Sequence, residues 1–88
     1  MITCHITEAE PFVCAGIQFG MVLPRDLTNS CEVVMEWLKP GQATPIDQHT
    51  NFDQIFIIQE GAGILTVGSR TATVTAGTVA FIPRGTPH

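Results

Sequence analysis

Tyrosine is absent from this chain, histidine occurs three times, and lysine and arginine together only four times. The missing tyrosine removes one of the usual side chains for moving a proton near neutral pH, so general acid–base chemistry is left to few groups. The basic residues, Arg25, Lys39, Arg70 and Arg84, are scattered through 88 residues of net charge −4. They form no stripe that would follow a phosphate backbone, which argues against nucleic acid as a partner. No apolar run approaches the roughly 18 residues of a membrane-crossing helix, and no basic segment precedes an apolar stretch at the N-terminus. These absences lead us to expect a soluble, cytoplasmic protein with no membrane partner. Cys4, Cys14 and Cys31 are odd in number, far apart and without a Cys-x-x-Cys spacing. A disulfide framework is therefore not expected, and Cys31 reads as a small buried hydrophobe rather than a pocket nucleophile or ligand. A sustained helical period is missing from every segment.

What is present reads as strands and turns. Phe12 to Val22 is expected as one strand, the polar loop from Pro24 to Ser30 follows it, and Cys31 to Leu38 is the next strand. Pro40-Gly41 closes that strand, because proline cannot continue a ladder. Gln54 to Glu60 and Ile64 to Val67 flank Gly61-Ala62-Gly63, a glycine-containing hairpin signal. Thr71 to Thr75 and Thr78 to Ile82 flank Ala76-Gly77, and Pro83-Arg84-Gly85 is a further turn. Six or seven short strands predict an all-β fold, an antiparallel barrel or sandwich. A single domain over residues 1–88 buries only about 60% of its unfolded surface, so a metal, a partner subunit or an exchanged strand is expected to help.

Two groups of residues carry the chemistry. In the first, Gly41 is followed by Asp47-Gln48-His49, then Gln54, then Gly61; in the second, Gly77 is followed by Pro83, Gly85 and His88. These segments, residues 41–61 and 77–88, resemble the paired motifs of the cupins. The first family motif is glycine, five residues, His-x-His, three or four residues, glutamate, six residues and glycine. This chain keeps the spacing but carries Asp47 for the first histidine and Gln54 for the glutamate. The second motif, glycine, five residues, Pro-x-Gly, two residues and histidine, is matched without departure. The resemblance spans Gly41 to His88 and implies a small β-barrel or jelly roll, with Asp47, His49, Gln54 and His88 at the family's metal-ligand positions.

Strand alternation agrees with that implication. Asp47 and His49 share a face, and an inward Gln54 takes Phe56 and Ile58 with it while Asp53 points away. Each residue also has a structural role open to it: Gln54 as a hydrogen-bonded pocket amide, Asp47 as a turn residue after Pro45, and His49 and His88 as pocket-lining imidazoles. As ligands they supply two nitrogens, a carboxylate and an amide oxygen. The site keeps the single negative charge of the family's three-histidine, one-glutamate set. Such donors suit Fe or Mn foremost, with Ni or Zn also open.

Glu32 and Glu36 alternate with Val33, Met35 and Trp37, so with the apolar set inward the glutamates are expected to face solvent. Met35, Trp37, Phe56 and Phe81 are then expected to line an apolar pocket for a small-molecule ligand or substrate. The family resemblance implies dioxygenases, isomerases, lyases or decarboxylases, and equally non-enzymatic binding of sugars or effectors; fold alone does not choose. A metal-dependent oxygenase or lyase acting on a small chelating molecule is one reading, and a binding module with a degraded metal site is the other. A sensor domain has less behind it, since nothing here resembles a helix-turn-helix. Family members continue with one or two closing strands where this sequence stops at His88. An open edge of that kind leads us to expect a homodimer in which the N-terminal arm, residues 1–11, is exchanged or a neighbouring sheet pairs.

Overall fold

A turn that the sequence hides begins the architecture. The computed structural model describes residues 1–27 and 30–88, so Thr28 and Asn29 of the expected polar loop lie outside the described residues. Ala15 and Gly16 both adopt positive φ, 52° and 75°, the signature of a tight two-residue hairpin turn. The segment expected as one strand from Phe12 to Val22 is thereby split into β1 (Glu10–Cys14) and β2 (Ile17–Leu23). Ala-Gly is a weak version of the Asn-Gly turn signal, because an alanine pays sterically for positive φ, and this is why the break was not legible.

Two compact units divide the chain, residues 1–45 and 46–88. In the first, β1, β2 and β3 (Val33–Trp37) form an antiparallel meander. The stacked rings of Phe12 and Phe19 cross the β1–β2 ladder at 5.0 Å, and Ile17 on the same face is only 2% exposed. On the opposite face the Trp37 indole lies across Gly20. A side chain at Gly20 would place its Cβ 2.8 Å from Ala9 Cβ and 3.1 Å from the indole, so only glycine admits this approach. Lys39-Pro40-Gly41-Gln42 closes the unit as expected, with the Gln42 amide donating to the Lys39 carbonyl at 2.9 Å and Gly41 at φ 85°.

The expected facing of β3 needs correction. Glu32 is exposed and paired with Arg25 at 3.1 Å. Glu36, however, stands opposite Phe19 and shares its apolar face. It is half-buried, its Oε1 has no hydrogen-bond partner, and burial pushes its carboxyl pKa up. Trp37 keeps substantial exposure on the other face. Cys31 is also corrected: it is exposed rather than buried, and all three cysteines are free thiols.

The second unit holds β4 (Gln54–Ile57), β5 (Ala62–Val67), β6 (Arg70–Thr75) and β7 (Val79–Ile82). Here β5 pairs with β6, but β4 pairs with β7, not with β5. Gly61-Ala62-Gly63 is therefore not a hairpin: Gly63 lies inside β5 opposite Val74, and Gly61 bends the chain. The two ladders meet at a corner. Ile58 exchanges bonds with Thr78 and Gly77, and the Ala76 amide reaches the Gly61 carbonyl. Gly61 and Gly77 supply φ 75° and 89° at that bend, a region costly for other residues. Ile82, 2% exposed, and Val74 are its buried side chains.

The class is all-β and antiparallel, as expected, with no helix beyond short 3-10 turns at Ile6–Glu8 and Arg25–Leu27. Three separate ladders carry the strands, and among the described residues no strand pairing joins them into a closed barrel. Among the described residues, no helix is long and apolar enough to cross a membrane.

Candidate metal centre

The C-terminal segment brings the two motifs together by backbone pairing. Asp47 and His88 exchange both of their amide–carbonyl bonds, at 2.8 and 2.9 Å, so they are directly opposed residues of a short antiparallel bridge. Gly85, at φ 78°, turns the chain into that bridge and donates its amide to the His49 carbonyl. On the far side, the Gly68 amide reaches the Pro87 carbonyl at 2.8 Å. His88 is thus held between Asp47 and the tip of the β5–β6 hairpin.

Directly opposed residues share a face, and so do residues two apart, which brings Asp47, His49 and His88 to one side. The His49 and His88 rings have centroids 5.3 Å apart and are tilted by 51°. This spacing is within reach of one ion bonded to each ring at ~2.0–2.1 Å. His49 stacks on Phe52 at 4.4 Å, and the edge of Phe56 meets His88 at 6.0 Å. These aromatic contacts hold the rings against rotation.

Hydrogen bonds assign the donor atoms. His88 Nδ1 lies 3.0 Å from the Thr86 carbonyl oxygen, which can only accept, so Nδ1 carries the hydrogen and neutral His88 presents Nε2 as a lone pair. A backbone carbonyl orienting a ligand imidazole in this way is a recurrent device of metal sites. Asp47 Oδ2 is 3.4 Å from His49 Nε2, while its Oδ1 accepts the Gln48 amide at 2.8 Å. Gln54 begins β4 opposite Ile82 and faces the same way as Phe56. Its Oε1 is buried and has no hydrogen-bond partner. A buried acceptor without a donor costs free energy until something electropositive meets it.

Asp53 faces away from this cluster, as alternation requires. Arg84 holds it through its backbone amide at 2.9 Å and through guanidinium contacts of 3.2 and 3.3 Å. That arginine keeps the Asp53 carboxyl below its ordinary value. Gln48, on the face opposite Asp47 and His49, donates its side-chain amide to the Gly85 carbonyl at 2.9 Å. Gln48, Phe52 and Arg84 are the residues that sequence reasoning missed. The signal was present for Gln48 and Arg84, which fill positions between motif residues and bond across to the other motif; Phe52, two residues before Gln54, instead stacks on His49 within the first motif.

The residues present fit a divalent ion in kind: two imidazoles, one carboxylate and an unpartnered amide oxygen, with no sulfur. Their spacing is less advanced. Among the described residues no three His, Cys, Asp or Glu side chains stand together at metal-holding distance. Asp47 meets His49 and His49 meets His88 only as pairs, so an ion would draw the carboxylate away from His49 Nε2. The third histidine, His5, caps the first 3-10 turn, its Nδ1 2.7 Å from the Thr7 hydroxyl, and is exposed.

The expected pocket lining is not one surface. Phe56 faces the histidines, whereas Phe81 stands opposite Ile55 on the other face of the β4–β7 ladder and is largely exposed. The period of two along β7 puts Ala80 and Ile82, not Phe81, on the Gln54 side. Met35 and Trp37 belong to the first unit, where they share the face that carries Gly20.

No curated protein and no solved structure matches this chain. The model of one protein family, described as the cupin domain, does match, over residues 34–88. With both motifs inside the matched residues and the histidines of the two motifs side by side, the chain belongs to the cupin family.

Proposed function

We propose that this cupin binds a divalent first-row metal through Asp47, His49, Gln54 and His88, and acts on or holds a small chelating organic molecule there. The observation that carries the reading is the buried, unpartnered Gln54 Oε1, on the strand face whose next member, Phe56, meets His88. An amide oxygen cannot titrate, so what satisfies it comes from outside the protein: a cation, a ligand's donor group or a water. Fe or Mn fits the mixed nitrogen and oxygen donors best, with Ni and Zn as competitors. When bound, such an ion would supply Lewis-acid or redox activation to a chelated substrate, the chemistry of an oxygenase or lyase. Within the chain, Thr86 orients His88, Phe52 braces His49, and Asp47 supplies the only negative charge of the four. The protein is expected to work as a homodimer in the cytoplasm.

A second reading has its own observation. His49 Nε2 is already engaged by Asp47, which suits a cupin that binds a small molecule without metal, its Gln54 amide accepting from that ligand. Stripped protein titrated with iron(II) without oxygen, manganese, nickel and zinc while the melting temperature is followed separates the two. An ion at about 100 times its dissociation constant adds roughly 2.7 kcal/mol of stability, and His49→Ala or His88→Ala abolishes the rise. If no ion raises the parent and His49→Ala melts like it, the metal-free reading replaces the first.

A further inference from the structure

One face of the β4–β7 ladder is apolar and exposed. Ile55 stands opposite Phe81, and Ile57 opposite Val79; because directly opposed side chains share a face, these four form one apolar quartet. They are 62 to 65% exposed, leaving roughly 500 Å² of apolar surface in one patch, the upper end of what a soluble monomer shows. No charged side chain interrupts it. At one end the neutralised Asp53–Arg84 pair forms a polar border, and at the other the ladder runs into the Gly61–Gly77 corner. Beside Phe81 the surface becomes concave, a groove of about 430 Å³ whose walls include Leu65, Val67 and Pro83, with Arg70 as its one charged side chain.

We propose that this face is the contact between two copies of the chain, packed quartet on quartet about a two-fold axis. The inference rests on the homodimer of the preceding section and names its surface; it uses none of the four candidate metal residues. Three observations select a second copy as the occupant. The quartet itself carries no charge, and the ions around it, the paired Asp53 and Arg84 and the groove's Arg70, stand at its border, so quartet on quartet brings no charge into the centre of the contact. Its apolar area, with the groove and the polar border around it, approaches the roughly 800 Å² per partner of a standard interface. Among the described residues only Ile17, Val74 and Ile82 are buried apolar side chains. A core that small leaves a domain of this length in need of association. An apolar centre with a polar rim and an aromatic anchor beside a groove is the anatomy of a specific interface.

Sedimentation equilibrium of the 88-residue chain, from about one to a few hundred micromolar, is expected to show a dimer. Phe81→Glu is expected to raise its dissociation constant at least about a hundredfold, because two carboxylates would be desolvated at the centre of the contact. Ile64→Glu, at a position 78% exposed on β5, is the control and is expected to leave association unchanged. Radical footprinting of the parent needs no variant: Ile55, Ile57, Val79 and Phe81 should lose labelling as concentration passes through the dimer range. A monomer throughout overturns the proposal, as does a dimer whose protected residues lie elsewhere, for instance in residues 1–11. The second outcome would leave the homodimer standing and remove only this surface. The metal titration is unaffected by either result, so the two readings fail separately.

Discussion

Among the described residues, two buried side-chain oxygens without partners, one in each unit, invite comparison. Glu36 Oε1 in residues 1–45 and Gln54 Oε1 in residues 46–88 are both desolvated acceptors that no protein group satisfies. Glu36 can titrate, and burial raises its carboxyl pKa. Gln54 has no proton to take up, and it faces a side of its ladder where two imidazoles stand 5.3 Å apart. The same defect is a stability cost in one unit and a binding opportunity in the other. The units also differ in how they are wired. The first is a meander closed by local turns, whereas in the second β4 waits for β7, and Asp47 for His88, across most of the unit. Distant pairing places side chains from two motifs on one face, which a meander of consecutive strands does not do.

The largest effects come from the cores. Ile17→Ala and Ile82→Ala should each cost about 2–5 kcal/mol in urea unfolding, as expected for a fully buried branched side chain. Only Ile82→Ala should also weaken ion binding, because Ile82 stands directly opposite Gln54. Equal ion affinities in the two variants would erase the distinction between the units.

Glycine replacements sharpen it at a lower cost. Gly20→Ala meets Ala9 and the Trp37 ring and should lose about 1–3 kcal/mol by overpacking. Gly77→Ala has open space but φ 89° and should lose about 1–2 kcal/mol through its backbone. Asparagine, which tolerates positive φ, should recover part of the loss at position 77 and none at position 20. Thermal melts of the four variants check this.

Exchanging the two orphans in kind comes next. Gln54→Glu restores a carboxylate beside the cation and should tighten ion binding by about tenfold or more, read by calorimetry. Glu36→Gln should leave ion binding alone and flatten the pH profile of stability. With a raised carboxyl pKa the folded state holds the proton longer than the unfolded one. Parent stability therefore falls as pH rises from about the ordinary value of 4.5 to the raised one, then levels off. A slope that survives in Glu36→Gln would show that another group carries it.

The smallest effect belongs to Asp53. Its depressed pKa means that the Arg84 contact contributes above the ordinary value of 3.8 and is lost as pH falls through the depressed one. Arg84→Ala should remove that acid-side loss and change little at neutral pH, since the pair is exposed. Acid titrations of the melting temperature decide it.

Motif spacing was enough to read the family and the all-β class, and it singled out Asp47, His49, Gln54 and His88 as candidates. Turn glycines and His/Asp/Gln positions are covalent features of the chain, and a period of two puts Asp47 and His49 on one face wherever the strand lies. The same rule turned Asp53 away from Gln54, and the structure shows it there, held by Arg84. Pairing was not legible in the same way. Gly61-Ala62-Gly63 carries a hairpin signal, yet Gly63 enters β5, because the longer ladders β4–β7 and β5–β6 bury Ile82 and Val74. The hairpin at Ala15-Gly16 was hidden because alanine seldom accepts positive φ, and the β1–β2 ladder with its stacked Phe12 and Phe19 imposes it. Local chemistry is written residue by residue, so ligand types and turn positions follow from the order of amino acids. Which strands meet, and which face a glutamate or a phenylalanine ends up on, depends on a sum of burial over residues far apart in the chain, and only the folded molecule evaluates that sum.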